Sequence, residues 1–94
     1  MNGLLFRVSS MTLATFMNAQ EVQSLIELGL PGAQVRVASD DDTHFEAVIV
    51  APQFAGKRMI QRHQLVYATL GPRMGREIHA LSMQALTPEE AATP

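Results

Sequence analysis

Three histidines, His44, His63 and His79, are the side chains of greatest chemical reach in this chain, and no cysteine accompanies them. A neutral imidazole offers one lone pair to a metal or a proton and one N–H to an acceptor. Without a thiol the chain forms no disulfide, builds no zinc–thiolate centre, carries out no thiol redox chemistry and holds no iron–sulfur cluster by itself. The three histidines spread over 36 positions and lack the short spacing of a self-contained zinc site. His79 stands at the mouth of a strand, close in sequence to a basic helix, where an imidazole can be offered to something held by another molecule. Periodicity alone places it on the strand face of Leu81 and Met83, as a partly buried histidine bonded to backbone. His63 falls on the packing face of a helix, which favours a structural role. His44 lies where a hairpin loop becomes strand, and either caps the turn or faces solvent.

Other constellations carry less. No serine sits in a glycine-flanked nucleophile elbow, and Gly56, Gly71 and Gly75 do not have the spacing of a phosphate-cradling loop. Nothing argues for an enzyme. Asp40, Asp41 and Asp42 are consecutive, but the loop lacks the spaced ligands and closing glutamate of a calcium loop, so a solvated turn is expected. Charge is more telling. Lys57, Arg58, Arg62, Arg73 and Arg76 crowd into one acid-free stretch, while the rest of the chain sets Arg7 and Arg36 against nine acids. Such a basic region attracts an anionic partner such as nucleic acid, glutathione or an acidic protein face, or else is a solvated helix face.

The elements that must position these residues follow from the apolar pattern. Ninety-four residues form one domain with one modest core. No apolar run approaches the roughly 20 residues needed to span a bilayer, so a soluble, cytoplasmic protein is expected. Residues 1–16 lack acids and have an irregular apolar pattern. They are expected to be a poorly ordered extension, with Met1 or Met17 as the start, and residues 17–94 the domain. Asn18 and Glu21 predict a capping box, Ala19, Val22, Leu25 and Ile26 a helix, and Gly29 its left-handed stop. Gln34 to Val37 and Phe45 to Val50 predict an antiparallel hairpin around Ser39–Thr43. Ile60, His63, Val66, Tyr67 and Leu70 predict the packing face of a second helix, ended by Gly71-Pro72. A further short turn, a strand from Ile78 to Leu86 and a terminal helix capped by Thr87 with Pro88 complete the order. The fold class is α+β: a three-stranded mixed sheet with helices on one face. The strand–strand–helix–helix–strand order is similar to the KH arrangement, but the Gly-x-x-Gly loop is missing, since Lys57-Arg58-Met59 follows Gly56.

Several motifs in order now bear on identity: Phe54-x-Gly56, Arg62-His63-x-x-Val66-Tyr67, Ile78-His79-Ala80-Leu81 and Thr87-Pro88-Glu89, with Thr43-His44-Phe45 opening the second strand. Together they resemble the BolA family, particularly its short YrbA-like branch, over about Asn18 to Glu90. The resemblance implies an αββααβα fold related to KH type II. It implies a non-enzymatic partner of a monothiol glutaredoxin that shares or moves a [2Fe–2S] cluster, with glutathione bound through the partner and no cofactor when alone. It implies His79 as a cluster ligand. The family's second ligand is usually a cysteine or histidine inside the hairpin loop; here His44, Asp41 or Asp42 takes that place, or the partner supplies the rest. The family is also linked to DNA binding and to transcriptional control of stress and envelope responses, which here would fall to the basic helix-turn-helix. Lys57, Arg58, Arg62, His63, Arg73 and Arg76 are the residues expected to meet a partner or DNA. Whether the free chain forms a homodimer is left open.

Overall fold

A computed structural model describes residues 17–93. The expected extension at residues 1–16 lies outside the described residues, as does Pro94. The elements run α1 (Ala19–Gly29), β1 (Gln34–Ala38), β2 (His44–Val50), α2 (Met59–Leu70), β3 (Ala80–Leu86) and α3 (Pro88–Ala92), with single 3-10 turns at Pro52–Phe54 and Gly71–Arg73.

The first helix starts where the sequence says it should. The Asn18 side chain accepts from the Glu21 N–H at 2.9 Å, and the Glu21 carboxylate accepts from the Asn18 N–H at 3.0 Å. Val22 and Ile26, one turn apart, are fully buried. Gly29 has another purpose than the expected left-handed stop. It is the last residue of α1, and a Cβ there would stand 2.4 Å from Thr69 Cγ2 and 2.7 Å from Thr69 Cβ. The missing side chain lets α1 and α2 cross closely, while the left-handed conformation falls to Gly32, at φ 87°. Gly29→Ala is expected to cost about 2 kcal/mol through overpacking, although alanine is the better helix former by about 1 kcal/mol. Urea unfolding measures the loss, and Thr69→Ser in the same chain should recover part of it.

β1 and β2 form the expected antiparallel hairpin, with Val35 opposite Ile49 and Val37 opposite Ala47. β3 then lies parallel to β2, which gives the sheet order β1-β2-β3. A parallel neighbour cannot follow a tight turn, so α2 supplies the crossover. Alternation along β2 buries Phe45, Ala47 and Ile49 and exposes His44, Glu46 and Val48. Phe45, Phe54, Ile26, Ile49, Leu70, Ile78, Val22 and Val66 are the largest fully buried side chains. They form one core between the sheet and the helices on a single face. This is the α+β architecture expected, with the helix after α2 reduced to one 3-10 turn.

The packing face of α2 differs from the expected one. Arg62, Val66 and Leu70 are buried, whereas Ile60 is 64% exposed and Tyr67 39%. The helix is turned because an arginine finds better internal partners than an isoleucine finds neighbours. Those partners belong to the site described next.

Candidate functional site

β2 and β3 begin side by side, and this end of the sheet gathers two of the three histidines. His44 is the register partner of Ala80, so His79 immediately precedes the neighbouring strand, one position out of step. The Thr43 carbonyl accepts both the His79 N–H and the Ala80 N–H, each at 3.2 Å. Two successive donors on one carbonyl make a bulge, and a bulge changes the phase of side-chain alternation. Ile78 therefore enters the core, with no exposed surface, and His79 turns out to solvent. The strand proper begins at Ala80 rather than at Ile78. Strict alternation would have put His79 beside Leu81 and Met83 in the interior; the bulge overturns that expectation. The His79 ring makes no hydrogen bond among the described residues.

The bend that presents His79 is itself closed by backbone. The Gly75 N–H donates to the Ile78 carbonyl at 2.7 Å, and the Ile78 N–H donates to the Arg73 carbonyl at 3.0 Å. Gly75 adopts φ 87°, which a side chain would strain. Buried Ile78 anchors one side of His79, and the β2 pairing holds the other.

The loop before His44 is more organised than a solvated turn. Asp41 Oδ1 accepts the backbone N–H groups of Thr43 at 3.0 Å and His44 at 2.9 Å. Asp41 Oδ2 lies 2.9 Å from His44 Nδ1. Ser39 Oγ donates to the His44 carbonyl at 2.6 Å and accepts from the Asp42 N–H at 3.0 Å. The His44 backbone N–H, followed by its imidazole and the Thr43 N–H, holds the Asp41 carboxyl far below its ordinary range. Both Asp41 oxygens are thus engaged inside the loop. Nδ1 of His44 is engaged, and Nε2 has no hydrogen-bond partner among the described residues.

The basic residues do not form one patch. Lys57 and Arg58 are exposed just before α2, and Arg73 and Arg76 are exposed just after it. Twelve helical residues separate the pairs by about 18 Å. Arg73 and Arg76 share the sheet end of His44 and His79, being part of the loop that delivers His79. His63 is half-buried between the two groups. Arg62, expected on the contact surface, is 7% exposed and faces inward. Its Nε donates to the Lys57 carbonyl at 2.9 Å, and its Nη1 donates to the Ala85 carbonyl at 2.9 Å and to Glu90 Oε1 at 2.7 Å. The guanidinium also lies 6.0 Å from the Phe54 ring centroid. It fastens α3 to the end of β3. The basic helix-turn-helix is not formed either: Gly71 at φ 58° and Pro72 leave a single 3-10 turn where a second helix was needed.

Comparison with known proteins agrees with this architecture. The family described as BolA-like protein matches residues 30–90. The chain belongs to the BolA family. A solved BolA homologue from Coxiella burnetii superposes with a TM-score of 0.68 at 42% identity, covering 80% of this chain and 96% of that one. Human BolA-like protein 1 is 41% identical over 54 residues, 57% of this chain and 39% of that protein. A protein of Haemophilus influenzae named DNA-binding transcriptional regulator BolA is 43% identical over 49 residues, 52% of this chain and 48% of the regulator. The match thus spans less than half the length of these two curated relatives.

The donor set of this BolA chain can be tested against a metal centre. No group of three or more metal-binding side chains forms among the described residues. Two exposed imidazoles at one sheet end, on a chain with no thiol, suit a share in a centre whose remaining ligands come from elsewhere. In such a centre His79 and His44 would be this chain's contribution. Arg73 and Arg76 would face the negative charge that thiolate ligands bring. The role of Asp41 escaped the sequence reading, although a carboxylate three residues before a histidine at a turn was a usable signal.

Proposed function

We propose that this BolA protein is a non-enzymatic adaptor of iron–sulfur assembly and trafficking, which pairs with a monothiol glutaredoxin and shares a [2Fe–2S] cluster. The observation that carries this reading is the outward turn of His79 at the bulge, beside His44 on the adjoining strand. The chain has no thiolate, so its partner and glutathione must provide the sulfur. What it adds is neutral nitrogen on a rigid strand end, and imidazole in place of thiolate raises a cluster's potential. Arg73 and Arg76, exposed at the same end, supply charge complementary to glutathione carboxylates. Mixing the protein with a monothiol glutaredoxin, iron, sulfide and glutathione is expected to give a coloured heterodimer by size-exclusion chromatography. Glutaredoxin retaining all the colour as its own homodimer, with this chain eluting separately, would remove the proposal.

A second reading, DNA binding, is favoured by the exposed Lys57, Arg58, Arg73 and Arg76 and by the printed name of the Haemophilus relative. Four phosphate-neutralising side chains predict affinity that falls with a log–log salt slope of about −3 to −4. A duplex titration at several salt concentrations measures that slope, with Lys57→Glu/Arg58→Glu as the variant. No binding at low ionic strength would dismiss this reading.

A further inference from the structure

We infer that Asp41 is a positioning residue that fixes His44 in the tautomer whose bare nitrogen, Nε2, faces outward as a metal ligand beside His79. The inference rests on the cluster reading for the identity of the metal, and on the hairpin loop for the tautomer. Two groups compete for His44 Nδ1: Asp41 Oδ2 at 2.9 Å and the Thr43 hydroxyl at 3.1 Å. A hydroxyl can donate or accept, but an ionised carboxylate can only accept. The carboxylate therefore decides, the proton resides on Nδ1, and the hydroxyl adapts. The lone pair is left on Nε2, on a side chain that is 71% exposed. This is the arrangement by which an outer carboxylate fixes the tautomer and ring orientation of a ligating histidine.

The loop offers a clean way to reverse it. Asp41 Oδ1 holds the loop by accepting the N–H groups of Thr43 and His44, whereas Oδ2 faces the ring. In Asp41→Asn the amide oxygen retains the Oδ1 position and the turn with it. The amide nitrogen then takes the Oδ2 position and becomes a donor to Nδ1. The proton must move to Nε2, and the outward lone pair is lost without unfolding the loop.

The experiment has two readouts. Nitrogen NMR of the free, 15N-histidine-labelled chain, at a pH where imidazole is neutral, is expected to show His44 protonated at Nδ1. The pattern should swap to Nε2 in Asp41→Asn and stay unchanged in Thr43→Val. In the reconstituted complex with glutaredoxin, Asp41→Asn is expected to lose the cluster about 10–100-fold more readily, the loss typical of removing an outer partner. His44→Ala should do the same without any tautomer to swap. An unswapped ring in Asp41→Asn, or a swap in Thr43→Val, overturns the inference, as does a swapped ring with cluster retention unchanged. If the wild-type chain forms no coloured complex, the cluster reading fails by itself, and the ring tautomer alone decides whether Asp41 sets His44.

Discussion

Arg62→Ala is expected to lower the stability of the domain by about 3 kcal/mol, a large fraction of what a chain of this size possesses. The guanidinium is buried and serves three acceptors on separate segments: the Lys57 carbonyl before α2, the Ala85 carbonyl near the end of β3, and the Glu90 carboxylate on α3. Removing it leaves two carbonyls without this donor, opens space beside Phe54 and releases α3. Glu90 itself is half-exposed and rehydrates easily, so the cost belongs mainly to the arginine side. Arg62→Lys should recover only part of the loss, because an ammonium cannot span the fork of acceptors. Equilibrium urea unfolding of the two variants tests this order.

The same clasp has a signature in acid. The Arg62 guanidinium and the Thr87 N–H pull the Glu90 carboxyl down from 4.5 to about 2. Between those values the unfolded chain binds the proton more readily than the folded one, so stability rises with pH there. The contribution is complete above pH 4.5 and disappears as pH falls through about 2. In Arg62→Ala this part of the acid dependence should flatten. One practical consequence concerns nucleic-acid assays. A charge reversal at Arg62 would unfold the domain rather than remove a phosphate contact, so Lys57 and Arg58 are the informative positions.

His79→Ala is expected to act in the opposite manner, with stability almost unchanged and cofactor sharing lost. The ring is exposed and makes no hydrogen bond among the described residues, so its removal should change folding by no more than about 0.5 kcal/mol. Removing an outer-shell partner alone costs roughly 10–100-fold in metal retention, so a true ligand should cost at least that. Release of iron and bleaching of the visible bands in the glutaredoxin complex, followed over time, give the ratio. Equal lifetimes for the wild-type and variant complexes would remove His79 from the ligand set.

These expectations show where the sequence was sufficient. Capping pairs such as Asn18–Glu21 and Thr87–Glu90 are local, so α1 and α3 were legible from neighbouring residues. The hairpin was legible for the same reason. The face of α2 was not, because Arg62 is drawn inward by carbonyls 5 and 23 residues away, and helical periodicity contains no record of such partners. Gly29 was recognised as special for the wrong cause, since its necessity comes from Thr69 on another helix. The exposure of His79 depends on two N–H groups sharing the Thr43 carbonyl, a tertiary event that alternation within one strand cannot report. The family motifs named His79 as important; the bulge explains how a residue on an inward phase becomes reachable.

The most direct measurement is pulsed electron paramagnetic resonance on the reduced complex, with 15N-histidine in this chain alone and unlabelled glutaredoxin and glutathione. A 15N coupling to the cluster, of which the His79 part is lost in His79→Ala while that of His44 remains, is the predicted result. A reduced cluster that shows no 15N coupling, or one whose coupling is unchanged in His79→Ala, would contradict the account.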